Sequence, residues 1–174
     1  VRSRRQRQMC IRDSTNSATN RVTDSAAAGT ALATGRKTKN SAIGVLKDQE
    51  TPINSVAVWA KNKGCRVGIA TSVTVNHATP GAFYAHAAKR TLYHEIGKDL
   101  YKTGFDFYAG SDFRDATDKN NPTTDNLYEM AGKNGYTIAR GYKDYLKQSK
   151  KADKMLLLQT EEASKREFVA IPYA

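Results

Sequence analysis

The sequence predicts an α/β fold, a three-layer αβα sandwich built around a largely parallel central sheet. Three observations lead to this prediction. Segments with helical spacing of apolar residues alternate about four times with short apolar runs. The run over 66–72 is almost continuously apolar, which is typical of a parallel strand covered on both faces. Glycines follow several of the segments, and strands that alternate with helices favour a parallel sheet between two helical layers.

The first half of the chain contains three predicted helices and one predicted strand. A helix of small residues begins at Ser25. A second helix covers 51–64, because that segment opens with a capping hydroxyl and a proline and closes on a glycine. The strand over 66–72 follows, and a third helix runs over 80–88.

The second half continues the alternation. Ile96, Leu100 and Tyr101 recur at helical spacing and predict a helix that ends at Gly104. The remaining predicted elements are a strand over 105–109, a helix over 127–134, a strand over 136–139, a helix over 142–148 and a strand over 154–159.

Length and charge limit the possible functions. The chain has 174 residues, which suits about one domain, and a net charge of +11. Five arginines lie within residues 1–14, and the lysines of the remainder are scattered over helix ends and loops. This distribution is more typical of a solvated surface than of a nucleic-acid site, so we expect no nucleic-acid partner. No apolar run approaches the ~20 residues of a transmembrane helix, so we expect no membrane partner.

Residues 1–14 differ sharply in composition from the rest. They are rich in Arg and Gln, lack helical or strand periodicity, and resemble a translated adapter or assembly scar. We interpret them as an extraneous or disordered basic segment and 15–174 as the N-terminal-to-middle portion of a domain; a disordered basic arm that binds nucleic acid or an acidic surface is the alternative. The segment has no apolar core of a secretory signal. Cys65 is the one cysteine of the domain, and we expect it to be buried and structural.

Ser25 stands where a loop becomes a helix. The small residues that follow it allow another backbone or a phosphate to approach closely, and the free N–H groups of the first helical turn attract anions. This arrangement suits an exposed nucleophile. The alternative is an ordinary helix cap, since Asp and Ser are favoured before any helix.

Two segments carry a resemblance to the alkaline phosphatase family. Residues 24–40 (DSAAAGTALATGRKTKN) resemble the segment whose serine is phosphorylated during turnover. Residues 76–90 (NHATPGAFYAHAAKR) resemble the family's magnesium and phosphate-arginine segment. Together the resemblance covers most of residues 20–110.

The resemblance implies hydrolysis of phosphate monoesters through a phosphoserine at Ser25. It implies two Zn²⁺ ions, one of which binds the Ser25 alkoxide, and one Mg²⁺ ion, to which Thr79 offers its hydroxyl. Arg90 is expected to hold two phosphate oxygens, and Asp24 to orient Arg90. At His77 many bacterial members carry aspartate, so direct metal ligation and a water-mediated role both stay open.

Topology explains how these residues could meet. Ligands of open parallel sheets bind beyond the carboxyl ends of the strands. His77, Thr79 and Arg90 follow the strand over 66–72, and Ser25 is expected to follow another strand. Four further residues in or near the two segments receive structural interpretations: His86 as a packed histidine, His94 as a surface residue, and Lys37 and Asn40 as motif residues with structural use.

The largest departure from the family is the set of metal ligands that the resemblance requires and the sequence lacks. We therefore expect an internal fragment of a longer enzyme, with a sheet incomplete at both ends and little activity of its own. The parent enzyme is expected to be a periplasmic or secreted homodimer. Two alternatives remain: a metal-dependent phosphodiesterase or sulfatase of the same superfamily, and a basic α/β module that binds nucleic acid.

Overall fold

A computed structural model of the chain describes residues 14–118, 121, 123 and 126–164. All but the last residue of the segment interpreted as extraneous lie outside this range. The described elements, in chain order, are α1 (Ser25–Thr34), α2 (Val56–Asn62), β1 (Gly68–Ala70), α3 (Ala78–Gly81), α4 (Tyr93–Thr103), β2 (Phe107–Gly110), α5 (Leu127–Lys133), β3 (Tyr136–Arg140), α6 (Gly141–Gln148), β4 (Lys154–Leu158) and α7 (Glu161–Ser164).

The four strands form one parallel sheet in the order β1-β2-β4-β3. Gly68 pairs with Phe107, Phe107 with Met155, and Thr137 with Met155 from the other side. This confirms the predicted α/β class and the parallel sheet. None of the described helices is long and apolar enough to cross a bilayer.

The strand order distributes the helices over both faces of the sheet. The connections from β1 to β2 and from β2 to β3 step in one direction, and the connection from β3 to β4 steps back. Because parallel crossovers are right-handed, α6 lies on the face opposite α4 and α5. Helices α4 and α5 pack closely because Gly97 leaves room: a Cβ there would lie 2.4 Å from a methyl group of Leu127.

An aromatic cluster fills the core under α4. Tyr84 and Tyr108 meet edge to face with ring centroids 5.4 Å apart, and Phe105 stacks on Tyr108. The buried hydroxyls find backbone acceptors, as buried polar groups require: Tyr84 donates to Val75 O at 2.6 Å and Tyr136 to Phe105 O at 2.7 Å. Burial raises the pKa values of Tyr84 and Tyr108 well above the ordinary value of a tyrosine, so both hydroxyls remain donors.

The helix predicted over 51–64 begins later than expected. Its first residue is Val56, because the hydroxyl of Ser55 accepts the Val58 N–H and caps the helix there. Pro52 is not helical; it forms an antiparallel bridge with Val45. The predicted end is confirmed, since Gly64 follows the helix with φ +82°.

The strand over 66–72 is shorter and more exposed than predicted. Only Gly68–Ala70 pairs, and Gly68 and Ala70 are exposed, because β1 is the edge strand of the described sheet. The prediction of a strand covered on both faces was wrong. An apolar run of this length fits an edge strand next to Phe107 as well as a central one.

The prediction of a helix over 80–88 was also wrong. Helix α3 is a single turn, Ala78–Gly81, and the chain then extends so that Ala87 exchanges two backbone hydrogen bonds with Ile43. Ala82, Ala85 and Ala87 are buried along this path, and the pairing of Ala87 with Ile43 uses backbone groups that a helix would need for itself. In the second half of the chain the predicted helices and strands are all present, with ends shifted by one or two residues.

Three further expectations are corrected by burial. Cys65 is exposed, because it lies in the turn that follows α2. His94 is 6% exposed, since it shares the inward stripe of α4 with Gly97 and Tyr101. His86 is exposed as a residue and lies in the extended segment, where its Nδ1 contacts Gly44 O at 2.6 Å.

Candidate active site

Asp24 and Ser25 begin α1. Asp24 has extended backbone angles, and its Oδ1 accepts the Ala27 N–H at 2.9 Å, which caps the helix. Its Oδ2 accepts a second N–H, from Ser41, also at 2.9 Å. Two backbone donors therefore fix the Asp24 carboxylate, and Ser25 is half-buried beside it at the helix start. No strand precedes Ser25 within residues 14–24, contrary to expectation.

The small residues of α1 bring a second segment against it. Ala26 and Ala27 are buried, and a Cβ on Gly29 would lie 3.1 Å from the Cβ of Ala82 and 3.5 Å from the carbonyl oxygen of Thr79. Larger side chains here would force α1 and α3 apart. The close approach that the small-residue run predicted is thus to the 78–82 backbone, which follows His77.

Arg90 joins the two motifs. Its Nη1 donates to Ser25 Oγ at 2.8 Å and lies 3.4 Å from Asp24 Oδ2, and its Nη2 lies 3.2 Å from His77 Nε2. The backbone N–H of Arg90 also donates to Ser41 Oγ at 3.3 Å. The side chains of Arg90 and Asp24 are 27% and 23% exposed, so solvent reaches the pair and an anion could enter.

The surroundings of His77 favour its neutral form. Burial lowers its pKa below the ordinary value, and the positive charges of Arg90 and Arg114 lower it further. A neutral imidazole accepts at one nitrogen only. Because Arg90 can only donate, Nε2 accepts and Nδ1 carries the proton. The Thr79 N–H lies 3.5 Å from Nδ1, at the limit of hydrogen-bond length, and it cannot donate to Nδ1 in the tautomer that accepts from Arg90.

The loop that carries His77 lies at the carboxyl end of β1, as predicted, and the segment after β2 supports it. Ser111 N donates to Val73 O and Val75 N to Asp112 O, both at 2.9 Å. Asn76 is fully buried, accepts the Arg114 N–H and donates to the Arg114 carbonyl.

The structure brings four of the five predicted site residues into contact: Asp24, Ser25, His77 and Arg90. The fifth, Thr79, lies two residues beyond His77 and is exposed. Among the described residues no group of three or more His, Cys, Asp or Glu side chains could hold a metal ion. Lys37 and Asn40 act locally: Lys37 Nζ donates to Ser14 and Asn16, and Asn40 Nδ2 to Val22 O.

Three residues of this neighbourhood were missed from the sequence. Ser41 holds both Asp24 and Arg90 and adopts φ +74°, which a sequence pattern does not reveal for serine. Asn76 is the first residue of the second motif, and its place in that motif was the signal that could have identified it. Arg114 lies outside both motifs and gave no signal.

The model of the family described as Alkaline phosphatase matches residues 6–109. The chain belongs to the alkaline phosphatase family. Among curated proteins it is similar to alkaline phosphatase 4 of Bacillus subtilis, with 52% identity over 69 residues that cover 40% of this chain and 15% of that enzyme.

Solved structures of the family share the fold. The alkaline phosphatase of the Antarctic bacterium TAB5 matches with a TM-score of 0.74 and 32% identity, over 84% of this chain and 42% of that one. A histidine-to-glutamate mutant of that enzyme, with Mg bound in its M3 site, matches with a TM-score of 0.75 and 31% identity, over 85% and 42%. The chain thus spans less than half of the length of these family members.

Proposed function

We propose that the site formed by Asp24, Ser25, His77 and Arg90 hydrolyses phosphate monoesters through a phosphoserine at Ser25. One observation supports this above the others: the Arg90 guanidinium lies 2.8 Å from the Ser25 hydroxyl at a helix start. A planar guanidinium can bind two oxygens of one phosphate, and a phosphate seated there would have its phosphorus next to Oγ.

Each residue has a separate task in this proposal. Ser25 Oγ attacks the phosphorus, the alcohol leaves, and water then cleaves the phosphoserine to release inorganic phosphate. Arg90 holds two non-bridging oxygens and, as a cation beside Oγ, favours loss of the hydroxyl proton. Asp24 orients Arg90 by its carboxylate, which Ala27 and Ser41 already hold in place.

The family resemblance implies two Zn²⁺ ions and one Mg²⁺ ion, which would activate the serine and stabilise the leaving oxygen when bound. The described residues do not form a zinc cage, since they contain no cluster of three ligands. Nor is His77 a ready magnesium ligand, because Arg90 Nη2 lies 3.2 Å from its Nε2. We propose that His77 acts on a metal through water, and that Thr79 supplies an oxygen ligand.

We therefore expect the 174-residue chain alone to bind zinc weakly and to turn over slowly. For the complete enzyme we propose a homodimeric, periplasmic or secreted phosphomonoesterase that binds neither nucleic acid nor membranes. Salt-dependent DNA binding that survives deletion of residues 1–14 would contradict the exclusion of nucleic acid.

The proposed chemistry is tested by supplying the missing ligands from a relative. Residues 15–164 replace the matching segment of the TAB5 enzyme, and the chimera is assayed with p-nitrophenyl phosphate and with bis-p-nitrophenyl phosphate. We expect monoester turnover that Ser25→Ala abolishes and Ser41→Ala does not abolish, with phosphoserine mapped to Ser25. Turnover that survives Ser25→Ala in a zinc-loaded, folded chimera would contradict the proposal, and preference for the diester would favour a phosphodiesterase. If the chimera does not fold, phosphate binding by the chain itself provides the test.

A further inference from the structure

Arg114 is linked through Asn76 to two loops of the site, the loop that carries His77 and the segment that runs from Arg90 to Tyr93. Asn76 holds its backbone on both sides: Oδ1 accepts the Arg114 N–H at 3.0 Å, and Nδ2 donates to the Arg114 carbonyl at 2.7 Å. The same Nδ2 donates to the Tyr93 carbonyl at 2.9 Å. Asn76 directly precedes His77, and Tyr93 comes three residues after Arg90. One buried amide therefore sets the position of Arg114 relative to both loops.

The side chain of Arg114 stacks on an aromatic ring and has no anionic partner among the described residues. Its guanidinium carbon lies 4.7 Å from the centroid of the Tyr93 ring. The residue is exposed, and no carboxylate of the described residues forms an ion pair with it. Because stacking occupies the face of the guanidinium, its N–H groups at the edge remain available to a ligand.

Arg114 is held next to the phosphate site by backbone hydrogen bonds. Asn76, which binds the Arg114 backbone, directly precedes His77, and His77 Nε2 lies 3.2 Å from Arg90 Nη2. Arg90 comes from the motif that resembles the phosphate-arginine segment, and Arg114 comes from the loop after β2. The other described arginines differ: Arg140 is paired with Asp112, and none of Arg21, Arg36 and Arg66 belongs to either loop of the site.

We propose that Arg114 binds a second anionic group of the substrate, a phosphate or carboxylate carried on the alcohol of the monoester. Arg90 binds the phosphate that is transferred, and Arg114 binds the leaving part. This inference rests on the proposed function. It assigns a substrate class, phosphate monoesters whose alcohol carries a negative charge, over esters of neutral alcohols.

The test measures binding to the full 174-residue chain, so that it does not depend on turnover. Isothermal titration compares inorganic phosphate with methylenebisphosphonate, 1,3-propylenebisphosphonate and 3-phosphonopropionate, which vary the spacing and the second anion. We expect at least one of the three two-anion ligands to bind on the order of fivefold tighter than phosphate, as an additional charged contact at a partly solvated site allows. A bisphosphonate can bind through either of its two equivalent ends, which by itself raises its apparent affinity by a factor of about two.

Variants test whether the preference for two-anion ligands comes from Arg114 or from a general attraction of anions to a basic chain. Arg114→Ala is expected to remove the preference beyond the factor of about two, and Arg114→Lys to retain part of it. Arg66→Ala removes the same charge at the amino end of β1, so the preference should persist there. An equal preference in the wild type and Arg114→Ala, or no preference in the wild type, overturns the proposal. If Arg90→Ala leaves phosphate affinity unchanged, the phosphate site itself is wrong and the role of Arg114 falls with it.

Discussion

The Nη1 atom of Arg90 lies 2.8 Å from the Oγ atom of Ser25, although the two residues are 65 positions apart in the chain. The contact exists because Asp24, the cap of α1, also lies 3.4 Å from the same Nη1. Asp24 thus serves the helix and the arginine at once. This double use leads to a prediction in which stability and anion binding respond differently to substitution.

Asp24→Ala should destabilise the chain by about 1–2 kcal/mol, because α1 loses its cap and the Ser41 N–H loses its acceptor. Asp24→Asn keeps an oxygen for the cap but loses the charge beside Arg90, so it should cost less stability. Both variants should weaken phosphate binding. Chemical denaturation and phosphate titration measure the two effects.

Ser55→Ala is the control, since Ser55 caps α2 and contacts none of Asp24, Ser25, His77 and Arg90; its hydroxyl also donates to Phe83 O. It should cost about 1–3 kcal/mol, because the cap and a buried hydrogen bond are both lost, and leave phosphate affinity unchanged. If Asp24→Asn bound phosphate as tightly as the wild type, Asp24 would be a helix cap and nothing more.

Two glycines with left-handed backbone angles should respond unequally to a methyl group. At Gly44, φ is +60° and a Cβ would lie 2.0 Å from the carbonyl oxygen of Ala85, so Gly44→Ala must move backbone. At Gly35, φ is +72° and a Cβ would meet nothing within 4 Å. We expect Gly35→Ala to cost about 1–2 kcal/mol, the usual penalty of that conformation, and Gly44→Ala clearly more. Equal losses on thermal unfolding would show that the 43–45 and 85–87 segments are not packed as described.

An ion pair at the amino end of the sheet should make stability depend on pH. Lys61 Nζ lies 2.7 Å from Asp106 Oδ2, which also accepts the Val67 N–H, and these bonds lower the pKa of the Asp106 carboxyl. A lowered native pKa means that the stabilisation is present above the unfolded value of about 3.9 and is lost as pH falls through the native value.

Lys61→Met should therefore destabilise the chain at neutral pH, by less than about 1 kcal/mol because the pair is partly exposed. The difference from the wild type should shrink as pH falls below about 4. Lys63→Met, which removes an exposed lysine at the same helix end, is the control. A difference that stayed constant down to the lowest pH would exclude the ion pair as its cause.

Local signals predicted the elements that depend on local structure. Helix α1 follows from a capping Asp and helix-forming alanines, and α4 ends where Gly104 follows an apolar stripe. The failures have equally definite causes. Pro52 is a good helix start, but Ser55 provides the cap and Pro52 is used in a bridge to Val45. His94 shares a stripe with Gly97 and Tyr101, but glycine concealed the apolar pattern.

The site was predicted by resemblance, and residue spacing alone would not have given it. No spacing relates Ser25 to Arg90, because their contact depends on how α1 packs against α3 through Gly29. Arg114 was out of reach for the same reason: the hydrogen bonds of Asn76 that place it join residues 38 positions apart. Sequence segments that resemble a family give its motifs, and only the fold gives the residues that each chain adds to them.

The most direct measurement is phosphate binding to the chain by isothermal titration, for the wild type, Arg90→Lys, Arg90→Ala and Arg66→Ala. If Ser25 and Arg90 form one phosphate site, Arg90→Ala should weaken binding by roughly tenfold or more, and Arg90→Lys should recover only part of it because lysine lacks the fork. Arg66→Ala should bind as the wild type does. Equal phosphate affinity in the wild type and Arg90→Ala would contradict the assignment of Ser25 and Arg90 to a phosphate site.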